Sequence, residues 1–167
     1  MIHLTFRATS FEDEGFYRAC FENAEFAKML YYPNGMDINA YIAKSINDHK
    51  FVVLYKNEKI GFVHFYYNSK LNKYTYVGGL HPSKFNTGLG VYISVCILDY
   101  FFLQRKSKEI FSGVYSYNIR SYRMMKAIGF ETYGISDDKI LMTLSIDNFS
   151  EKEFVNKIKC RVSYSVL

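Results

Sequence analysis

The chain has no tryptophan, only two prolines and only three cysteines among 167 residues. Pro33 and Pro82 each fall where a break between elements is expected, and no Pro/Gly-rich linker, low-complexity tract or internal repeat divides the chain. A single domain over 1–167 is the simplest organisation, long enough to bury a core. Cys20, Cys96 and Cys160 are odd in number and far apart, and they form no metal-ligand spacing with His3, His49, His64 or His81. That argues against a disulfide framework and a zinc site, so no metal is expected and the thiols are expected reduced, in the cytoplasm. Long hydrophobic runs are also missing. The longest, 91–103, is broken by Asp99 and falls short of the roughly 20 residues of a membrane span. The first seven residues alternate instead of pairing a basic stretch with an apolar one, so neither a signal peptide nor a membrane partner is expected.

Dense charge is absent too. The net charge is +5, yet the closest approach to a basic block is Gln104-Arg105-Lys106-Ser107-Lys108. This reads as a solvated face, and no nucleic-acid partner is expected. What the chain has in abundance is aromatic residues, sixteen Tyr and fifteen Phe. Both favour strands, and Tyr adds polar tips to a cleft.

The hydrophobic period changes along the chain. Residues 2–8 alternate as a strand, and Ser10 with Asp13 forms a weak capping box. Apolar spacing then predicts two short helices up to Leu30, a turn at 31–35, and a helix capped by Asp37. From 51 the period becomes two: strands at 51–55, 60–68 and 74–81 form a meander. A long helix is predicted at 88–106, a strand at 110–115, and a short helix at 118–128 closed by Gly129 in the position glycine favours. Strands at 130–134 and 140–146 follow. The tail, 147–167, reads as a C-terminal extension with a helix and a short extended piece. The fold class is α/β, a mixed, mostly antiparallel sheet of about seven strands flanked by helices.

The chemistry centres on Gly88-Leu89-Gly90, where a strand and loop hand over to a helix. Glycines let backbone approach a ligand, and the helix start supplies unpaired N–H groups. That pairing binds phosphate, and Lys84 lies at its rim. Alone it also fits an ordinary tight turn. It is no Walker loop, since no Gly-Lys-Ser/Thr follows, and it lacks the third glycine of the dinucleotide fingerprint. Thirty residues on comes Asn118-Ile119-Arg120-Ser121, opening a helix that ends at Gly129-Phe130.

The Gly-x-Gly turn paired with a later Asn-x-x-Ser helix resembles the GNAT superfamily of acetyl-CoA-dependent N-acetyltransferases, over residues 60–133 above all. The resemblance implies a fourth strand splayed from the fifth, with Gly79, Leu80 and His81 binding the acetyl-CoA arm through backbone groups. It implies a pyrophosphate loop over Phe85, Asn86, Thr87, Gly88, Leu89 and Gly90, and a hydrogen-bonding amide at Asn118. Phe85 stands where the family usually has Gln or Arg, and Met125 where many members carry a Tyr general acid. Ser121 matches the serine of the RimJ/RimL-like branch, placed near the sulfur; a serine bonded back to its own helix turn is the competing reading. The base position maps to Tyr74, with Tyr76 on the same face, but a phenol near pKa 10 is a poor base. His64 titrates closer to neutrality, although a lone strand histidine is often structural. Bulk solvent is a further candidate base.

The implied function is acetyl transfer to a primary amine. A small-molecule acceptor ranks first, with an amino-sugar nucleotide as the favoured example, and protein N-terminal amines second. A non-catalytic acyl-CoA-binding module and an RNA-binding domain are the other classes weighed. Family members often pair, so a homodimer is the implied assembly.

Overall fold

The computed structural model describes residues 1–30, 37–45, 49–70 and 72–167. The turn expected at 31–35, with Pro33, lies outside them. Strand β1 (Ile2–Ala8) buries Leu4 and Phe6 on one face. A short turn of 3₁₀ helix follows, in which Asp13 accepts from the Ser10 N–H at 2.9 Å. The same carboxylate is fully buried and ion-paired to Arg7 and Lys59, at 2.5 and 2.7 Å. Burial raises its pKa, but the hydrogen bonds from Arg7, Lys59 and Ser10 outweigh that and leave it lowered. Helices α1 (Glu14–Phe21), α2 (Ala24–Leu30) and α3 (Ile38–Ser45) come next. Asn23 caps α2 by accepting from the Phe26 N–H at 3.0 Å, and Asp37 caps α3 from Ala40 at 3.1 Å.

Strands β2 (His49–Tyr55) and β3 (Glu58–Asn68) form a hairpin around Lys56 and Asn57. Both turn residues have positive φ, 52° and 63°, which matches the twist of a two-residue hairpin. Strand β4 (Lys73–Leu80) leads into α4 (Leu89–Arg105), then β5 (Glu109–Tyr115) and α5 (Ile119–Ile128). Gly129 ends α5 with φ 118°, donating to Met125 and Lys126 carbonyls. Strands β6 (Glu131–Ser136) and β7 (Lys139–Ser145), helices α6 (Ile146–Glu151) and α7 (Glu153–Lys159), and β8 (Val162–Val166) complete the chain.

The sheet has eight strands in the order β6-β7-β5-β4-β3-β2-β1-β8. This is a mixed, mostly antiparallel sheet, with parallel pairs at β4–β5 and β1–β8. The eighth strand comes from the tail: β8 docks beside β1, with Ile2 opposite Val162 and Phe6 opposite Val166. One face of the sheet carries the larger core, built on α4, whose residues from Ile93 to Leu98 are all buried. Helix α4 is apolar nearly all round because it packs on the sheet, β4 and β8 included, and is also in contact with α7. The other face carries a smaller aromatic core of Tyr17, Phe26, Ile42 and Phe62 beneath α1–α3.

Candidate active site

The site begins where β4 and β5 part. Their ladder pairs only Tyr74 with Ile110 and Thr75 with Phe111. One step further, Ser112 Oγ donates to the Tyr76 carbonyl at 2.9 Å, so that carbonyl faces β5. On the other edge the His81 N–H donates to Ile60 of β3 at 2.8 Å. Strand alternation then turns the backbone groups of Gly78 and Leu80 toward β5, where the ladder has ended. Gly79, opposite Phe62, faces β3 instead. The His81 backbone is fully engaged, because its carbonyl also accepts from Lys84. The backbone groups open to a ligand are therefore those of Gly78 and Leu80, rather than of Gly79 and His81.

The gap opens into a cavity of about 550 Å³. Its floor is apolar, with Ile93, Val114 and Met125. At its mouth lies the turn into α4. Gly88 has φ 78° and Asn86 φ 64°, and both line the cavity. Within the described residues, neither the Gly88 nor the Gly90 N–H has an acceptor. A Cβ at Gly88 would meet nothing within 4 Å, so the turn is open and its glycine is required by φ. Thr87 Oγ donates to the Lys84 carbonyl at 2.7 Å and accepts from Leu89 N–H at 3.4 Å, which braces the turn from within. Lys84 is ion-paired to Glu58 at 2.7 Å. Phe85 lies parallel to Phe26 with centroids 6.4 Å apart, in the aromatic core under α2. The turn thus offers backbone N–H groups at a helix start, an arrangement that suits an anion.

Helix α5 forms the far wall. Asn118 caps it, its Oδ1 accepting from the Ser121 N–H at 3.2 Å. Ser121 lines the cavity, and its Oγ makes no hydrogen bond within the described residues, so it is not turned back onto its own helix. Met125 is buried in the floor and holds no proton to give.

The other titratable residues expected here are placed differently. Tyr76 lines the cavity, but it is buried and its hydroxyl is 2.9 Å from Ser94 Oγ. Ser94 gives its one proton to the Gly90 carbonyl at 2.9 Å, so Tyr76 must donate to Ser94. Burial pushes the phenol up to about 12, although the Ser94 bond pulls the other way, and it is no base at neutral pH. Tyr74 packs edge-on against Phe101 and Tyr67 where β4 and β5 still pair, outside the cavity wall. His64 is on the opposite face, 6.3 Å from the Tyr41 ring. Burial, with Lys50 and His49 adding to it, lowers its pKa to about 3. The His81 ring stacks on Phe16 at 5.6 Å and accepts from Ser83.

The residues of the near wall were not singled out from the sequence. Helix α2 lays Glu25, Phe26, Met29 and Leu30 along the cavity. A Cβ on Gly79 would sit 2.9 Å from Phe26 Cζ and 3.0 Å from Leu30 Cδ1, so only glycine lets α2 approach β4 this closely. The pair Gly78-Gly79 in mid-strand was the available signal. Tyr117 ties the two walls together: its hydroxyl donates to the Lys28 carbonyl at 2.8 Å, and the Lys28 ammonium lies 5.5 Å from its ring centroid.

The splayed strands, the turn at Gly88 and the Asn-x-x-Ser helix start occupy one cleft. The acetyltransferase (GNAT) domain family matches residues 3–131. No curated protein sequence matches the chain. Among solved structures, a spermidine N-acetyltransferase from Vibrio cholerae, in complex with CoA and spermine, superposes with TM-score 0.78 and 19% identity, over 89% of this chain and 98% of that one. The aminoglycoside acetyltransferase AAC(6')-Ib with coenzyme A gives TM-score 0.75 and 16% identity, over 88% and 97%. A GNAT-family acetyltransferase from Bacillus anthracis gives 0.74 and 19%, over 87% and 98%. The chain belongs to the GNAT acetyltransferase family. It is an acetyl-CoA-dependent N-acetyltransferase, and the cleft residues fit that cosubstrate: a free strand edge for an amide-bearing arm and a side-chain-free cradle for a pyrophosphate.

Among the described residues no helix is long and apolar enough to cross a membrane. None of their acidic, His or Cys side chains gather into a group able to hold a metal ion.

Proposed function

We propose that this cleft acetylates a primary amine of a small molecule, by direct attack on the thioester of acetyl-CoA. The observation that carries the reading is the Ser121 hydroxyl, unengaged and lining the same cleft as the open strand edge and the anion turn. When bound, acetyl-CoA supplies an activated acetyl group and a thiol leaving group. Gly78 and Leu80 align its arm as an added strand, and the Gly88 and Gly90 N–H groups hold its pyrophosphate. The amide nitrogen of Asn118, its oxygen being engaged by Ser121 N–H, is free to donate to the arm. Ser121 Oγ donates to the departing sulfur, where negative charge develops. Among the described residues the cleft offers no His and no buried carboxylate as base. The amine reaches the site neutral by losing one proton to solvent and approaches the acetyl carbonyl from the α2 side; the second proton, lost as the C–N bond forms and the C–S bond breaks, balances the one the departing thiol gains by way of Ser121. Tyr76 fixes Ser94 and the first turn of α4 and does not move protons.

Protein N-terminal amines remain the second acceptor class for the same chemistry, and an amino-sugar nucleotide is one example of the first. A soluble, cytoplasmic, single-domain enzyme acting alone or as a homodimer is the setting this reading supplies. The test is thiol release from acetyl-CoA across an amine panel, with Ser121→Ala alongside. The expected outcome is turnover on at least one small amine and a loss of about tenfold to a hundredfold in kcat for the variant, with unchanged affinity for CoA. Tight CoA binding with no turnover on any amine overturns this proposal.

A further inference from the structure

Among the described residues only two charged side chains line the cleft, Glu25 and Arg120. They come from opposite walls. Arg120 belongs to the first turn of α5, two positions after the cap Asn118. Glu25 belongs to α2, the wall that presses on Gly79 from the other side of β4. Neither makes an ion pair or a side-chain hydrogen bond within the described residues.

This separation assigns the charges. A cosubstrate with phosphates needs cations, and the anion turn has little of its own: Lys84 is held by Glu58, and Phe85 is apolar. Arg120 is the cation left for that side. Among the described residues the acceptor side keeps a carboxylate with no cation to offset it, since the Lys28 ammonium is drawn to the Tyr117 ring. A carboxylate there disfavours an acceptor carrying a diphosphate and favours one carrying positive charge. The positive charge belongs away from the reacting nitrogen. A carboxylate against that nitrogen would raise its pKa and hold it as ammonium, which cannot attack. The rest of the α2 wall is Phe26, Met29 and Leu30, an apolar strip suited to methylenes.

Resting on the transferase reading above, we propose that the acceptor is a diamine or longer polycation, with Glu25 binding its distal ammonium and the α2 strip carrying its hydrocarbon spacer. Glu25 is thus the residue that sets specificity, and it takes no part in proton transfer.

The experiment compares diaminobutane, butylamine and a nucleoside-diphosphate amino sugar as acceptors for the full chain, with Glu25→Gln and Glu25→Asp. Calorimetry measures diaminobutane binding to the CoA-loaded protein and CoA binding to each variant. The expected result is a preference for diaminobutane over butylamine of about tenfold in kcat/KM. Glu25→Gln should erase the preference through KM, weaken diaminobutane binding about tenfold, and leave CoA affinity unchanged; Glu25→Asp should restore part of it. Equal use of both amines by the unmodified chain, an unchanged preference in Glu25→Gln, or faster turnover of the amino sugar overturns this inference and leaves the transferase reading standing. No turnover and no diaminobutane binding overturns both.

Discussion

Replacing Gly79 with alanine tests the architecture of the cleft through a single methyl group. The added carbon would lie 2.9 Å from Phe26 Cζ, 3.0 Å from Phe26 Cε2 and 3.0 Å from Leu30 Cδ1, closer than carbon atoms approach without displacement. Phe26 cannot simply turn aside. It is 2% exposed and packs against Phe21, Phe62 and Phe85, so the ring or the whole of α2 must shift. Overpacking of this kind costs about 1–3 kcal/mol. For a chain of this size that lowers Tm by roughly 3–10 °C. In the proposed reaction α2 is the wall on the acceptor side, so KM for the amine should rise, while CoA affinity, assigned there to the turn at Gly88 and to α5, should hold. Gly113→Ala is the control, since its Cβ would find Ile140 and Leu141 at an ordinary 3.9 Å. Thermal unfolding by circular dichroism, steady-state kinetics and CoA calorimetry provide the assay. A Gly79→Ala protein with the same Tm as Gly113→Ala and an unchanged amine KM would refute the reasoning that α2 rests on this glycine.

Gly88→Ala should cost about 1 kcal/mol of stability and weaken CoA binding several-fold, measured by melting and calorimetry; the open space around the new methyl assigns the effect to the positive φ and not to a clash. His64 makes stability depend on pH. Its ordinary pKa of 6.5 applies to the unfolded chain and about 3 to the folded one, so the unfolded state takes up the proton first as pH falls. The folded chain therefore keeps its full stability above pH 6.5 and loses about 1.4 kcal/mol per unit of pH from this group on the way down toward 3. Denaturant titrations of His64→Gln between pH 6 and pH 4 should show a flatter slope than the parent by about that amount; parallel slopes would sink the assignment.

Local chemistry was readable from the sequence wherever one segment determined its own shape. Asp37 announced α3 and Gly129 the end of α5. The anion turn and the Asn118 helix start were legible for the same reason, as each is a local motif. Tyr74 and Tyr76 show where legibility stops. They share a strand face, but the ladder to β5 ends between them, and only the tertiary pairing says so. His64 could have been placed better, since alternation along β3 puts it on the face of Phe62 and away from the floor of the cleft. Which residues of α2 line the cleft could not be read, because its apolar spacing looks like that of any core helix; Glu25 gains meaning only from what lies across the gap.

The pairing of β8 with β1 has a consequence for how the chain is made. His3 and Ser163 meet in the sheet, yet they are 160 positions apart in sequence. Leu167 then locks the far end, donating to the Phe6 carbonyl at 2.9 Å and accepting from Ala8 N–H at 3.4 Å. During synthesis the outer edge of β1 stands without its neighbour until residues 162–167 have left the ribosome. An early strand that waits for a late one gives a slow closing step and an interval in which a bare edge can meet other chains. Truncation before Val162 should prolong that interval indefinitely, and losses in soluble yield would appear before any loss in the chemistry of the cleft.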